Sequence, residues 1–273
     1  MTAEHGPILL GQRVPGQAVM EELMAVQSVV RPRTWLQRVF GTSPLSPEAQ
    51  PWYKGALGEI AVGRILEQLG PDWLVLHAIP VGRGSSDIDH LLVGPAGVFT
   101  VNTKNHSGQP VWVANRTLMV AGKKTRHLYN ADFEASRASK LLTAAVGGAV
   151  DVTAMVVVVD PKSMTIKSRP DRVVVLRDGQ LLGWLRHRKS ELGPADVGRI
   201  ASAAVLAQTW HRKPGPAGDP EGLQQSFIAL RLLVHQALRR RAAWALGVPV
   251  AGLLMLANAG HLAAAILQSL GGR

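Results

Sequence analysis

Two apolar runs, Ile88–Val93 and Val98–Thr103, are separated only by Gly94-Pro95-Ala96-Gly97, and this short connection constrains the chain more than any other feature. Strand-forming residues on both sides of a four-residue Gly/Pro turn leave an antiparallel hairpin as the simplest outcome. Trp73–Ile79 reads as a strand preceding it, and Val111–Val120 is expected to continue the sheet. Ala154–Val159 is an unbroken apolar run, the pattern of a strand covered on both faces. Gly58–Leu69 is apolar at Ala61, Val62, Ile65, Leu66 and Leu69 and is ended by Gly70-Pro71, which predicts an amphipathic helix. Asp132–Ala145 and Pro194–Trp210 predict further helices, and Val173–Leu176 with Gln180–Trp184 around Asp178-Gly179 predicts a second hairpin. The expected fold class is α/β, with a three-layer core in which helices flank a mixed sheet.

At 273 residues and 47% hydrophobic content the chain can bury a proper core, which excludes disorder throughout. The net charge of +11 favours an anionic partner, either nucleic acid or an acidic membrane surface. With no cysteine, disulfides and thiolate zinc sites are excluded, so any metal must use oxygen or imidazole ligands. The first thirty residues lack a basic start followed by a long apolar run and do not read as a secretory signal. Four regions are expected. Residues 1–50 form an arm with a helix at Gln17–Val30 and a proline-punctuated basic stretch through Arg31, Arg33, Trp35 and Arg38; 51–210 form the main domain; 211–222 form a Pro/Gly-rich linker; 223–273 form an apolar segment.

The hairpin carries the chemistry. With Val93 opposite Val98, a regular ladder places Asp89 opposite Asn102 and Asp87 opposite Lys104, all four on one face. Carboxylates at a strand end with a lysine two residues beyond suit phosphodiester hydrolysis: acids hold Mg²⁺, and the ammonium offsets developing charge. Glu59, at the start of the amphipathic helix and at the edge of its apolar stripe, can point toward the sheet as a further ligand; its plain alternative is a first-turn acid favoured by the helix dipole. His90 alternates onto the face opposite Asp89 and reads as structural, while His106, just past the strand, is a weaker candidate for approaching phosphate. Glu134, Arg137 and Lys140 fit a solvated helix face. The basic run Arg186–Lys189 is left outside the site. Seven scattered tryptophans give no argument for an aromatic stacking platform.

Gly58-Glu59, the run Asp87-Ile88-Asp89-His90-Leu91-Leu92-Val93, Gly94-Pro95-Ala96-Gly97-Val98-Phe99 and Thr103-Lys104-Asn105, in that order, resemble the nuclease-related domain (NERD) family, grouped with the PD-(D/E)xK nucleases. The likeness runs from about Gly55 to Leu142. It implies a nuclease-like core, a helix acid at Glu59, a strand acid at Asp89 and Lys104 as the lysine of the (D/E)xK element. The departure is Asn102, where the family pattern ordinarily has a carboxylate. An amide oxygen still ligates Mg²⁺ but carries no charge, so metal affinity should fall; Asp87 or Glu134 could compensate. The resemblance therefore implies catalytic Asp89, Lys104, Glu59 and Asn102, with Glu59, Asp89 and Asn102 as ligands of Mg²⁺ or Mn²⁺.

From Ala242 to Leu270 there are 29 consecutive positions without Asp, Glu, Lys or Arg, directly after Arg239, Arg240 and Arg241. A bilayer-spanning helix needs about 20 such residues, so a membrane helix is expected at about 242–267, with the main domain on the cytoplasmic side of the triple arginine. Pro249, Asn258, Gly260 and His261 interrupt the run, and a soluble cytoplasmic chain is the alternative. The expected function is a Mg²⁺-dependent nuclease acting on DNA or RNA at the membrane; the alternative is an inactive nucleic-acid-binding or scaffolding module of the same fold. Nucleic acid and membrane are the expected partners, with no small-molecule cofactor.

Overall fold

The computed structural model describes residues 10–82, 87–211 and 219–260, so the predicted loop at 82–86, the linker at 211–222 and the membrane helix at 242–267 lie partly outside the described residues. Strands β1 (Leu74–Pro80), β2 (Asp87–Gly94) and β3 (Gly97–Asn105) form an antiparallel meander in which Val93 pairs with Val98. After β4 (Pro110–Ala114), β5 (Thr117–Val120) and β6 (Lys123–Thr125), the chain returns to this sheet through β7 (Val152–Val159) and β9 (Val173–Arg177), which add in parallel to give the order β1-β2-β3-β7-β9. The fold is thus α/β with a mixed sheet, as expected. The predicted Val111–Val120 strand does not continue that sheet. Both edges of β3 are taken, by β2 and β7, so β4 and β5 turn at Asn115 (φ 47°) into a second sheet, β6-β5-β4-β8, with β8 at Ser163–Ser168.

Helices α1 (Gln17–Ser28), α2 (Trp35–Val39) and α3 (Ala49–Leu66) precede the sheet; α4 (His127–Val146), α5 (Asp178–Arg186), α6 (Pro194–Ala204), α7 (Ala207–Trp210) and α8 (Pro220–Ala257) follow β6. On one face of the main sheet, Val62 and Leu66 of α3 and Leu181 and Leu185 of α5 bury Leu92, Phe99, Val101, Met155 and Val157. On the other, α4 packs through Ala138 and Leu142 with α6 and α7, and through Leu128, Ala131 and Ala135 with the second sheet. Each fully buried Val, Leu or Ile contributes about 1.5–3 kcal/mol, so the β-branched run of β7, covered on both faces, anchors the fold.

Three local expectations are corrected. Asp178-Gly179 opens helix α5 and not a hairpin, because Leu181 and Leu185 at i, i+4 find a core on one side, and Gln180 accepts the Arg177 N–H at 3.0 Å to cap the helix start. Pro194–Trp210 is two helices, broken at the extended Leu206; the freed carbonyls of Ala203 and Ala204 accept from Thr209 Oγ1 and Trp210 Nε1. Helix α3 starts at Ala49, nine residues before the predicted start, since Pro51 in a first helical turn forfeits no hydrogen bond. That added length packs Ala49, Tyr53 and Ala56 against Met20 and Leu23 of α1 and Phe227, Leu230 and Val234 of α8.

Helix α8 divides in two. Its first half is docked in that cluster, whereas every residue from Leu238 to Gly260 is exposed. Its Pro220–Ala257 span is long and apolar enough to cross a membrane, and its most apolar stretch is entirely unburied.

Candidate metal centre

The β2–β3 ladder runs from Gly94↔Gly97 to His90↔Val101 and stops there, one pair short of Asp89 and Asn102. On the other side of β2, Ala78 of β1 sits at φ 46°, a left-handed conformation unusual for alanine, between the pairs His77↔His90 and Ile79↔Ile88. Asp89 therefore lies where regular pairing is interrupted on both flanks. Its carboxylate occupies the gap: Oδ2 accepts the Thr103 backbone N–H at 2.6 Å, substituting for a ladder bond. The expected direct opposition of Asp89 with Asn102, and of Asp87 with Lys104, is thus replaced by a side-chain bridge at the strand end.

Glu59 arrives from α3, on the opposite face from α4. The helix can ride this close because Gly58 lacks a side chain; a Cβ there would sit 3.0 Å from the Asn105 Cβ and 3.3 Å from Thr103 Cγ2. Asn105 Nδ2 ties the strand to the helix by donating to the Lys54 carbonyl at 2.8 Å. The result is that ligand oxygens of Glu59, Asp87 and Asp89 all lie within 4.8 Å of one another. Asp87, Asp89 and Asn102 also line a cavity of about 310 Å³ with Asn130, Phe133, Glu134 and Arg137 of α4. Asn102 Nδ2 donates to Glu134 Oε2 at 3.2 Å, so the amide at the expected acid position is coupled to a carboxylate on the neighbouring helix.

Among the described residues, Glu59 Oε2, Asp87 Oδ2, Asn102 Oδ1 and Glu134 Oε1 are buried without a hydrogen-bond partner, as is the neighbouring Thr103 Oγ1. Such groups cost free energy unless something satisfies them. Burial, reinforced by the neighbouring Asp89 and Asp87 charges, raises the Glu59 carboxyl well above its ordinary value. Burial and Asp89 push Asp87 up to about 7, and burial and Asp89 push Glu134 up to about 8. Asp89 is also raised by burial, opposed by Lys104 and the Thr103 N–H. Lys104 Nζ donates to the Thr103 carbonyl at 3.0 Å and bears electrostatically on all four carboxyls. The donor set is oxygen-only and becomes anionic when a cation displaces the protons that burial favours, and it fits a hard divalent cation such as Mg²⁺ or Mn²⁺.

His90 is fully buried, with Nδ1 2.8 Å from Nδ1 of His77, in the structural position expected of it. His106 pairs with His127 at 3.0 Å between Nε2 atoms; burial and Lys104 lower both, His127 to about 4, so the pair is neutral at pH 7.

The solvated face expected of Glu134 and Arg137 is corrected: both line the cavity, and only Lys140 is exposed. The i, i+3 pattern looked like a solvated stripe because the acids that Glu134 faces are distant in sequence. Two further groups were missed. Arg13 of the N-terminal arm donates to the Ala78 carbonyl at 2.6 Å and its charge lowers Asp87 toward ionisation; no sequence signal marks it. Phe133 is 60% exposed at the cavity wall, and Tyr129, one turn away, is 61% exposed with the Arg126 guanidinium 4.8 Å from its ring centre. Exposed aromatics do therefore stand beside the site, although no tryptophan does.

Residues 54–159 match the family described as NERD, nuclease-related domain. An uncharacterised protein of Bacillus anthracis is 42% identical over 62 residues, a match that covers 21% of this chain and 29% of that protein. No solved structure matches. The hairpin, the acid cluster at its open end and the match to the nuclease-related domain family, which belongs to the PD-(D/E)xK-like nuclease superfamily, fall on the same residues.

Proposed function

We propose that the chain is a divalent-cation-dependent phosphodiesterase acting on DNA or RNA, held at a membrane by the apolar half of α8 with the nuclease-related domain in the cytoplasm. The observation that carries this reading is the convergence of Glu59, Asp87 and Asp89 within 4.8 Å, with a buried oxygen on each of Glu59 and Asp87 that no donor among the described residues satisfies. Glu59, Asp87 and Asp89 hold the cation, and Asn102 Oδ1 and Glu134 Oε1 stand ready as neutral and anionic additions from the cavity wall. A bound Mg²⁺ or Mn²⁺ supplies Lewis-acid polarisation of a phosphate oxygen and a more acidic water. Lys104, beside the acids, offsets charge developing on the phosphate. Asp89, fixed by the Thr103 N–H, presents its remaining oxygen without rotating. Phe133 offers an exposed ring for an unpaired base.

Glu134 replaces the charge that Asn102 lacks. The hydrogen bond from Asn102 Nδ2 to Glu134 Oε2 supports a role for the pair in place of a single strand carboxylate, and on this reading Asn102 does not by itself weaken the site. The full chain in detergent is expected to cleave nucleic acid with Mg²⁺ or Mn²⁺ and to stop on chelation; cleavage unaffected by chelator would overturn the reading.

A second reading, a non-catalytic nucleic-acid-binding module, is favoured by the amide at position 102. It predicts salt-sensitive binding without cation-dependent cleavage. Asn102→Glu separates the two: cleavage appearing only in the variant would establish a degenerate site.

A further inference from the structure

Helix α2 is five residues long and buries none of its side chains, yet it is fully capped. Thr34 Oγ1 accepts the Gln37 N–H at 3.3 Å while Gln37 Oε1 accepts the Thr34 N–H at 2.9 Å. What the cap preserves is a set of large apolar side chains facing water: Trp35 70%, Leu36 48%, Val39 39% and Phe40 53% exposed. Isolated short helices do not persist without packing, so their cover must be sought nearby.

The neighbour is the point where α8 leaves the body. Trp244 Nε1 donates to the Val39 carbonyl at 2.9 Å, Arg240 Nη1 donates to the Arg38 carbonyl at 2.8 Å, and the Phe40 and Trp244 rings lie 5.1 Å apart. Gly41, at φ 71°, sits so close to α8 that a Cβ would meet the backbone of Ala237 and Arg241. The exposed face of α2 is therefore continuous with the exposed apolar half of α8, and the junction is basic. Arg33, Arg38, Arg240 and Arg241 meet there, with Arg31 and Arg239 close by in sequence, and neither 31–47 nor 222–270 contains an acidic residue. Arg33 lies close enough to Arg38 and Arg240 to feel the charge of both, and none of the six is in an ion pair among the described residues.

We propose that α2 and the arginine-flanked start of the apolar half of α8 form one collar that seats in the headgroup layer of an anionic bilayer, with Trp35, Leu36, Val39 and Phe40 at the acyl boundary. Aromatic side chains with a polar handle prefer that depth, and arginines on the cytoplasmic side meet anionic headgroups. Nucleic acid would neutralise the arginines but leave the aliphatic Leu36 and Val39 uncovered. The collar rests on the reading of α8 as a tether, and it adds a second, lipid-selective contact that fixes how the domain stands on the membrane.

The chain has no cysteine, so single-cysteine labelling is clean. Nitroxide probes at Leu36→Cys, Leu253→Cys and Ser202→Cys in the full chain report three places: the collar, the span and an exposed site on α6. In phosphatidylcholine vesicles containing phosphatidylserine, collision of the position-36 probe with an aqueous nickel reagent should slow by about fivefold relative to detergent, a gain expected to shrink in pure phosphatidylcholine. Position 202 should not change, and position 253 should be shielded in both lipids. A shielded 253 with an unshielded 36 overturns the collar and leaves the tether. A shielded 36 with an unshielded 253 keeps the collar and overturns the tether. Shielding of 36 in detergent, brought on by raised protein concentration or by added DNA or RNA, assigns the surface to a second copy or to nucleic acid and overturns the collar.

Discussion

The acid cavity and the free half of α8 break the usual partition of side chains in opposite ways. In and beside the cavity, polar oxygens of Asp87, Asn102, Glu134 and the adjoining Glu59 are buried without partners among the described residues; along α8, Leu246, Leu253, Leu254, Met255 and Leu256 are exposed without cover. The first arrangement is costly in a low dielectric unless charge is neutralised, and the second is costly in water unless hydrocarbon surrounds it. One asks for a cation and the other for lipid. The doubly covered β7 and the α1–α3–α8 cluster obey the ordinary rule. The violations mark where the molecule meets something else.

If the cavity is a cation site, charge at Asp89 matters more than shape. Asp89→Asn keeps an acceptor for the Thr103 N–H and should fold normally, yet nuclease activity should fall by about a thousandfold or more. Unchanged activity would break the cavity side of the comparison. On the α8 side, Phe227→Ala in the docked half should cost about 3–5 kcal/mol of stability, whereas Leu253→Ala in the free half should change it by less than about 0.5 kcal/mol in detergent. Equal losses in chemical denaturation would mean that the free half packs on protein. Glu134→Gln should weaken Mn²⁺ binding by about 10–100-fold by calorimetry, a loss larger than any caused by Lys140→Gln on the same helix. Phe133→Ala should raise KM about tenfold for single-stranded substrate with kcat retained.

The smallest effect is pH-dependent. Asp87 and Glu134 bind protons more tightly folded than unfolded, at about 7 and about 8 without a cation. Their contribution to stability is present below the unfolded carboxyl values and is lost as pH rises through about 7–8. A cation displaces those protons, so the Tm increase produced by Mn²⁺ should be near zero at pH 5 and grow to about 4 °C or more at pH 8.5. A shift that shrinks with rising pH would show that the carboxyls are not the ligands.

The parts legible from sequence were those with a local signature. The Gly94–Gly97 turn set the hairpin register through Val93↔Val98, the apolar run at Ala154–Val159 announced a buried central strand, and the ordered motif placed Glu59, Asp89 and Lys104 together. The reading failed where a partner distant along the chain decided the outcome. Asp178-Gly179 has hairpin chemistry, but a hydrophobic floor for Leu181 and Leu185 made it a helix start. Val111–Val120 has strand chemistry, but occupancy of both edges of β3 sent it to another sheet.

Amino-acid pattern alone determined that this chain has an antiparallel hairpin with acids at its open end, and an uncharged segment long enough for a bilayer, because periodicity and charge are local properties. Only the tertiary structure decided that the Asp89–Asn102 ladder opens into a side-chain bridge, that Glu134 meets Asn102 across 32 positions of chain, and that α2 stands at the foot of the apolar helix. Those contacts join residues far apart in sequence, and burial and packing, not propensity, set which of them meet.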